Sequence, residues 1–261
     1  MSNDTCIVTF FYPGIEKNIS RFIKTLENQS YKKFDVIIYF NNKKKFIIPK
    51  NNLTIFSSTM NKSIILSRFE MIKDLLKKDY KYIIFQDADD LMKKNRVDIC
   101  YKLLKKFKIV INDLDIYGNK IFKNYLSKRI SNSDIITSNN IKNYNFVGMS
   151  NSSLQMECLR KIVFPKYKNI KMFDWYFWTI LLSKYKGIFT DLTSTKYFTN
   201  NNSTTCLTNK YNKKKKNKIN TIKTAHFQIV DDLIKNKIIR DSYPHQKLDK
   251  YNKSKYKFWW E

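Results

Sequence analysis

Three carboxylates stand together in the run Asp87-Ala88-Asp89-Asp90, directly behind the apolar stretch Tyr82-Ile83-Ile84-Phe85. A short run rich in β-branched and aromatic residues reads as a strand buried on both faces. Like charges crowded where such a strand surfaces repel one another and raise each other's pKa. A divalent cation is their natural partner. Carboxylate oxygens suit Mg2+ or Mn2+, and such ions commonly hold a substrate's phosphates as well. The bland alternative is a solvated acidic turn capping the helix that starts near Lys94, since Asp is common in turns. A further carboxylate, Asp174, stands inside Phe173-Asp174-Trp175-Tyr176-Phe177-Trp178. Desolvation among these rings raises a carboxylate's pKa and basicity, which suits a general base. An Asp at a helix start is also favoured by capping and by the helix dipole, with no chemistry involved.

The elements that would position these groups alternate along the first half. Cys6 to Tyr12 reads as a strand ended by Pro13-Gly14, and Ile15 to Ser30 as a helix with Ile19, Phe22, Ile23 and Leu26 on one face. Strands follow at 34–40 and 53–56, a helix at 61–78, the buried strand at 82–85 and a helix at 95–107. Strand–helix alternation with short joins implies a mostly parallel sheet with helices on both faces, and ligands then bind outside the carboxyl ends of the strands. The acidic tetrad, the turn after Tyr12 and the pair Asn41-Asn42 all fall at such ends. The second half is less regular: a hairpin over 109–122, a polar loop over 135–145, a strand over 146–154, a short helix over 156–163, the aromatic helix 173–185, a strand over 187–190, a basic low-complexity stretch over 210–218 and a helix over 221–239.

The chain has 261 residues and a net charge of +28. That size accommodates one large α/β domain with an appended segment. With only Ala88 and Ala225 as alanines and abundant Lys, Asn and Ile, much of the charge reflects compositional bias rather than a ligand. Its clustering at Lys213 to Lys216 and in the tail with Trp259 and Trp260 is more specific, because lysines and interfacial aromatics suit an anionic membrane surface. A solvated terminus explains it equally well. No apolar run is long enough to span a bilayer, and the first residues lack a signal-peptide pattern, so a cytoplasmic protein is expected. Cys6, Cys100, Cys158 and Cys206 are far apart and His226 and His245 are the only histidines, which argues against zinc and for buried reduced thiols.

Four segments, in order, resemble a family 2 inverting glycosyltransferase of the GT-A fold. These are the opening strand Ile7 to Tyr12 with a helix ending Leu26-Glu27-Asn28-Gln29-Ser30, the strand and D-x-D at 82–90, Phe146 to Ser153, and Phe173 to Trp178. The resemblance covers about residues 5–205 and implies an α/β, Rossmann-like, mostly parallel sheet flanked by helices, with a basic helical C-terminal extension. It divides the chain into a glycosyltransferase domain over 1–208, with a donor half to about 113 and an acceptor half from 114, and the extension over 209–261.

Carried over residue by residue, the resemblance implies that Asp89 ligates Mn2+ or Mg2+, with Asp87 at the metal or the ribose and Asp90 supporting the shell or touching the donor sugar. Phe10, Tyr12 and Asn41 would lie by the nucleotide, Arg68 near the donor, and Asp174 would be the base. Ser150 and Asn151, on the segment that resembles the acceptor-side strand, would face the acceptor; helix spacing puts Trp175 and Trp178 on one face, with Trp178 in the core and Trp175 either facing the acceptor or in the core with it. The implied partners are a nucleotide-sugar donor, a UDP-sugar first, and a glycan or lipid-linked glycan acceptor in bacterial surface polysaccharide or lipooligosaccharide synthesis, with possible contact to the inner face of the membrane. Departures from the family pattern stand at Asn41-Asn42, where an Asp is common, and near residue 200, where an Arg and a His are common. Two other readings compete: a catalytically degenerate glycan-binding module of the same fold, and a basic nucleic-acid-binding protein. The latter leaves the tetrad and Asp174 unexplained, so no nucleic acid is expected.

Overall fold

The computed structural model describes residues 3–40, 46–48, 52–60, 62–118, 121–199 and 213–239. Strands β1 (Thr5–Phe11), β2 (Asp35–Phe40), β3 (Ile55–Thr59) and β4 (Tyr82–Phe85) form a parallel block in the order β3-β2-β1-β4. Helices α1 (Glu16–Glu27) and α2 (Ile64–Leu75) make the crossovers. After β4 come β5 (Leu91–Met92), α3 (Arg96–Leu104), β6 (Ile109–Tyr117), β7 (Ile135–Ile136) and α4 (Ser138–Ile141). A 3-10 turn at Met149–Asn151 then leads into β8 (Ser152–Gln155), α5 (Met156–Arg160), α6 (Phe173–Lys184), β9 (Gly187–Phe198) and α7 (Lys213–Lys235). The sheet continues from β4 as β8-β6-β9-β5, with β7 also paired to β9. β8 runs against β4 and β6, while β5 and β7 run against β9. The other six of the nine described strands therefore point one way. This is a mixed α/β architecture with a large, mostly parallel sheet flanked by helices.

Strand alternation sends successive side chains to opposite faces. On β1, Ile7 and Phe11 pack with Ile19, Phe22 and Leu26 of α1 and Val97 and Cys100 of α3. Cys6, Val8 and Phe10 belong to the other layer, with Phe69, Ile72 and Leu75 of α2 and the aromatic helix α6. That second layer also takes in Ile219, Ile222, Ile229, Val230 and Leu233 of α7. The helix of the basic extension is thus built into the core. Cys6, Cys100 and Cys158 are free and buried. Cys206, His245, Asn41-Asn42, residues 200–203 and the C-terminal tryptophans lie outside the described residues. No described helix is long and apolar enough to cross a membrane.

The first half follows the predicted order closely, with the third strand starting two residues later than expected. The second half differs. The expected hairpin over 109–122 is one nine-residue strand, and only Ile116 and Phe122 make an antiparallel bridge. Asn112, Asp113 and Asp115 look like strand breakers, yet all are buried with polar partners. A register shift against β9 falls at Asn112/Asp113. The expected strand over 146–154 is a 3-10 turn followed by β8, because the Asn151 side chain accepts from the Gly148 N–H at 2.8 Å and closes the turn. The polar stretch 135–145 holds β7 and α4. β9 runs on to Phe198, and Gly187 opens it because a Cβ there would come within 2.6 Å of Ile111 Cδ1.

Candidate active site

The carboxyl end of β4 delivers Gln86 to Asp90 to the sheet edge. Asp90 is 1 % exposed. Its carboxylate accepts from the Phe198 N–H at 2.8 Å and from the Ser150 hydroxyl. Ser150 also lies 3.2 Å from Asp87 Oδ2 and accepts from the Asp87 N–H at 3.1 Å. One hydroxyl on the turn before β8 thus ties the two ends of the tetrad together. Asp89 is held from the β1 side, where the Tyr12 hydroxyl donates to its Oδ2 at 2.9 Å and Arg21 Nη2 donates to its backbone carbonyl at 3.1 Å. Arg68 on α2 pairs with Asp87 Oδ1 at 3.5 Å.

Burial raises the Asp90 carboxyl well above the usual carboxylate range, and the charges of Asp89 and Asp87 add to it. Asp89 is raised for the same reasons, burial first and Asp87 next, against a hydrogen bond from Tyr12. Three carboxyl groups are met by Arg68 at Asp87 and by the charge of Arg21 at Asp89, which leaves the cluster with more acid than base. That excess fits a hard cation. Among the described residues no group of three His, Cys, Asp or Glu side chains is arranged to hold a metal by itself. Two carboxylates with further positions completed by phosphate oxygens and water is the way Mg2+ and Mn2+ commonly bind with a substrate, so the donor set fits such an ion.

Asp174 opens α6 on the far wall of the same cleft. The cleft encloses about 470 Å³, part of it open to solvent, and both Asp87 and Asp174 line it with Asn145, Gly148, Met172 and Tyr197. A Cβ added to Gly148 would stand 3.7 Å from Asp174 Oδ2, so the bare backbone leaves the carboxylate uncovered on that side. Burial raises the Asp174 pKa, and Asp87 across the cleft raises it further. Arg68, the Trp175 N–H (3.1 Å) and the Asn145 side chain pull it back.

The other expected site residues differ in how far they reach the cleft. Trp175 is fully buried, with its ring 3.7 Å from that of His226 in a parallel stack and its indole N–H donated to the Ile141 carbonyl. It offers no face to an acceptor, and α7 is what covers it. Trp178 is in the core, as expected. Ser150 and Asn151 are each 2 % exposed. Ser150 serves the tetrad, and the Asn151 amide is used on Gly148, Asn112 and Phe146. Both nevertheless line the cleft together with Asp87 and Asp174. Phe10 is also buried, stacked on Tyr39 with the Arg68 guanidinium 4.1 Å above its ring, which leaves little of it for a base. Tyr12 remains partly open, and Asn41 is outside the described residues.

Three contributors went unseen in the sequence. Arg96 is wholly buried behind the tetrad, bonded to Asn112 (2.8 Å), the Phe85 carbonyl (2.9 Å) and Gln86. A signal existed, because Arg96 stands four and eight residues before Cys100 and Leu104 and so shares their buried face. Asn145, beside Asp174, and Arg21, on an exposed helix face, carry no such signal.

No protein-family model matches the chain, and no curated protein matches it either. Solved structures do. S. aureus TarS residues 1–349, in complex with UDP-GlcNAc, superposes with a TM-score of 0.58 at 12% identity over 77% of this chain and 60% of that one. The mannosyltransferase PcManGT from Pyrobaculum calidifontis, in complex with GDP-Man and Mn2+, gives 0.54 at 11% identity over 78% and 59%. GalNAc-T7, with UDP, GalNAc and Mn2+, gives 0.51 at 9% identity over 76% and 44%. The chain spans less than two thirds of each of these neighbours. At such identities the likeness speaks for architecture, and that architecture is the GT-A glycosyltransferase fold.

Proposed function

We propose that the chain is a metal-dependent, inverting glycosyltransferase that moves a sugar from a nucleotide-sugar donor to a hydroxyl of a glycan or lipid-linked glycan. A UDP-sugar is the first candidate donor, and bacterial surface polysaccharide or lipooligosaccharide synthesis at the inner membrane face is the setting. The observation that carries this reading is that Asp174 and Asp87, 87 residues apart in sequence, line one cleft at the carboxyl edge of the sheet. Fold neighbours solved with UDP-GlcNAc and with GDP-Man and Mn2+ support the donor class.

Asp89 and Asp87 would hold the cation, which when bound supplies Lewis-acid stabilisation of the charge on the leaving diphosphate. Asp90, tied to Ser150 and Phe198, keeps the loop in shape. Asp174 takes the proton of the acceptor hydroxyl as its oxygen bonds to the anomeric carbon. The bond from that carbon to the phosphate oxygen breaks on the opposite face, and its electron pair leaves with the diphosphate. A raised pKa makes Asp174 a stronger base than a solvated carboxylate.

Thermal melts with Mn2+ and a panel of UDP- and GDP-sugars test the donor site. A ligand at 100 times its Kd adds about 2.7 kcal/mol, a shift of several degrees. If no nucleotide raises the melting point in the presence of Mn2+, the donor assignment is wrong. Binding without any transfer to alcohol or water would instead favour the degenerate module.

A further inference from the structure

Arg21 lies on the exposed face of α1, beside the acidic loop. Its Nη2 donates to the Asp89 carbonyl at 3.1 Å and reaches Asn18 Oδ1 at 3.4 Å. Its guanidinium sits 4.3 Å over the Phe198 ring. Phe198 in turn donates its backbone N–H to Asp90. The guanidinium is therefore fixed against the acidic loop by a ring on one side and a carbonyl on the other.

The contrast with Arg68 is informative. Arg68 spends its charge on the Asp87 carboxylate. The partners of Arg21 are neutral oxygens and a ring, with no carboxylate in ion-pair contact among the described residues, and its Nη1 and Nε have no partner among them. A planar guanidinium held beside a cation-binding carboxylate, with donors to spare, suits an oxyanion that shares the cation. We propose that Arg21 binds the diphosphate of the nucleotide and takes up its charge as the sugar departs. Position supports this: Asp89 is the neighbour of Arg21, so a diphosphate on a cation at Asp89 comes within reach of the guanidinium.

This inference rests on the donor-site reading above, and one titration separates the two. The full chain is titrated calorimetrically with UDP and with GDP in the presence of Mn2+, and with uridine and guanosine as probes that lack phosphate. Wild type is compared with Arg21→Gln and with Lys24→Gln, an exposed residue of the same helix whose loss changes net charge equally. Loss of a charge-assisted contact weakens diphosphate binding by about ten- to hundred-fold. Arg21→Gln is expected to show that loss for UDP or GDP while nucleoside binding holds, and Lys24→Gln is expected to match wild type. Equal diphosphate affinity in Arg21→Gln and wild type overturns the role of Arg21 and leaves the donor site standing. Equal losses in the two variants also overturn it, since the effect would then be the mean field of a cationic chain. If wild type binds neither diphosphate, both readings fall.

Discussion

On the proposed reading, Asp174 would combine a cost in the folded state with a use in chemistry. Its pKa is raised by burial and by Asp87. An acid whose folded pKa exceeds its unfolded value binds more protons when folded, so its ionisation at neutral pH costs stability. Asp174→Asn removes that cost. The variant is expected to melt slightly higher than wild type while its turnover drops about 10²–10⁴-fold, with nucleotide affinity unchanged. Single-turnover transfer and a melting curve check both halves. In wild type the acid limb of turnover should lie above the ordinary carboxylate range, because activity disappears as pH falls through the raised value. A variant that transfers sugar at the wild-type rate removes Asp174 from the chemistry.

At the scale of elements, the junction between α6 and α7 has the clearest consequence. His226 stacks on Trp175, is 5 % exposed, and its Nε2 has no hydrogen-bond partner among the described residues. Burial lowers its pKa from 6.5 to about 3. Above pH 6.5 the imidazole is neutral in both states and contributes no pH dependence. Between those values the unfolded chain takes up a proton that the folded chain refuses, so stability falls as pH falls. The raised carboxylates of Asp89, Asp90 and Asp174 act in the opposite sense, so a comparison isolates the histidine. His226→Phe keeps a ring on Trp175 and cannot charge. Urea midpoints of wild type and variant should diverge progressively below pH 6.5, with wild type losing more. Parallel curves from pH 7 to 4.5 would show that the ring takes up its proton without leaving the stack. Trp175 follows Asp174 directly, so this junction lies next to the carboxylate proposed as the base.

For the whole molecule, the question is whether the C-terminal extension is an appendage. Ile219, Ile222, Ile229, Val230 and Leu233 lie in the main core cluster. Burying one such side chain is worth about 1.5–3 kcal/mol, and a domain's total stability is about 5–15 kcal/mol. A chain cut at residue 208 is therefore expected to lose its cooperative melt. A chain cut after residue 239 keeps α7 and should retain a cooperative melt. The second truncation also tests the tail at a membrane, since each lysine near an anionic surface adds about 1 kcal/mol. If the segment 240–261 binds the membrane, its removal abolishes sedimentation with phosphatidylserine vesicles. Sedimentation at the wild-type level would assign binding to the rest of the surface.

Local pattern carried much of this molecule and stopped where distant contacts took over. Strands and helices of the first half were legible because their burial follows period 2 or 3.6 in contiguous residues, and Tyr82 to Phe85 was read to the residue. Carboxylates at a strand's carboxyl end pointed to a cation-binding edge for the same local reason. The second half was legible only in part: the helices beginning at Met156 and Phe173 and the strand beginning at Gly187 follow from local pattern, but Asn112, Asp113 and Asp115 look like breakers until partners from α3, the 121–130 loop and β9 are in place. Likewise, Trp175 cannot be told from an exposed sugar platform until α7, arriving fifty residues later, covers it. Sequence alone determined the order of elements and the kinds of groups available to the cleft. The tertiary structure decided which of them share it, because hydrogen bonds and ring contacts between residues far apart in the chain leave no periodic trace along it.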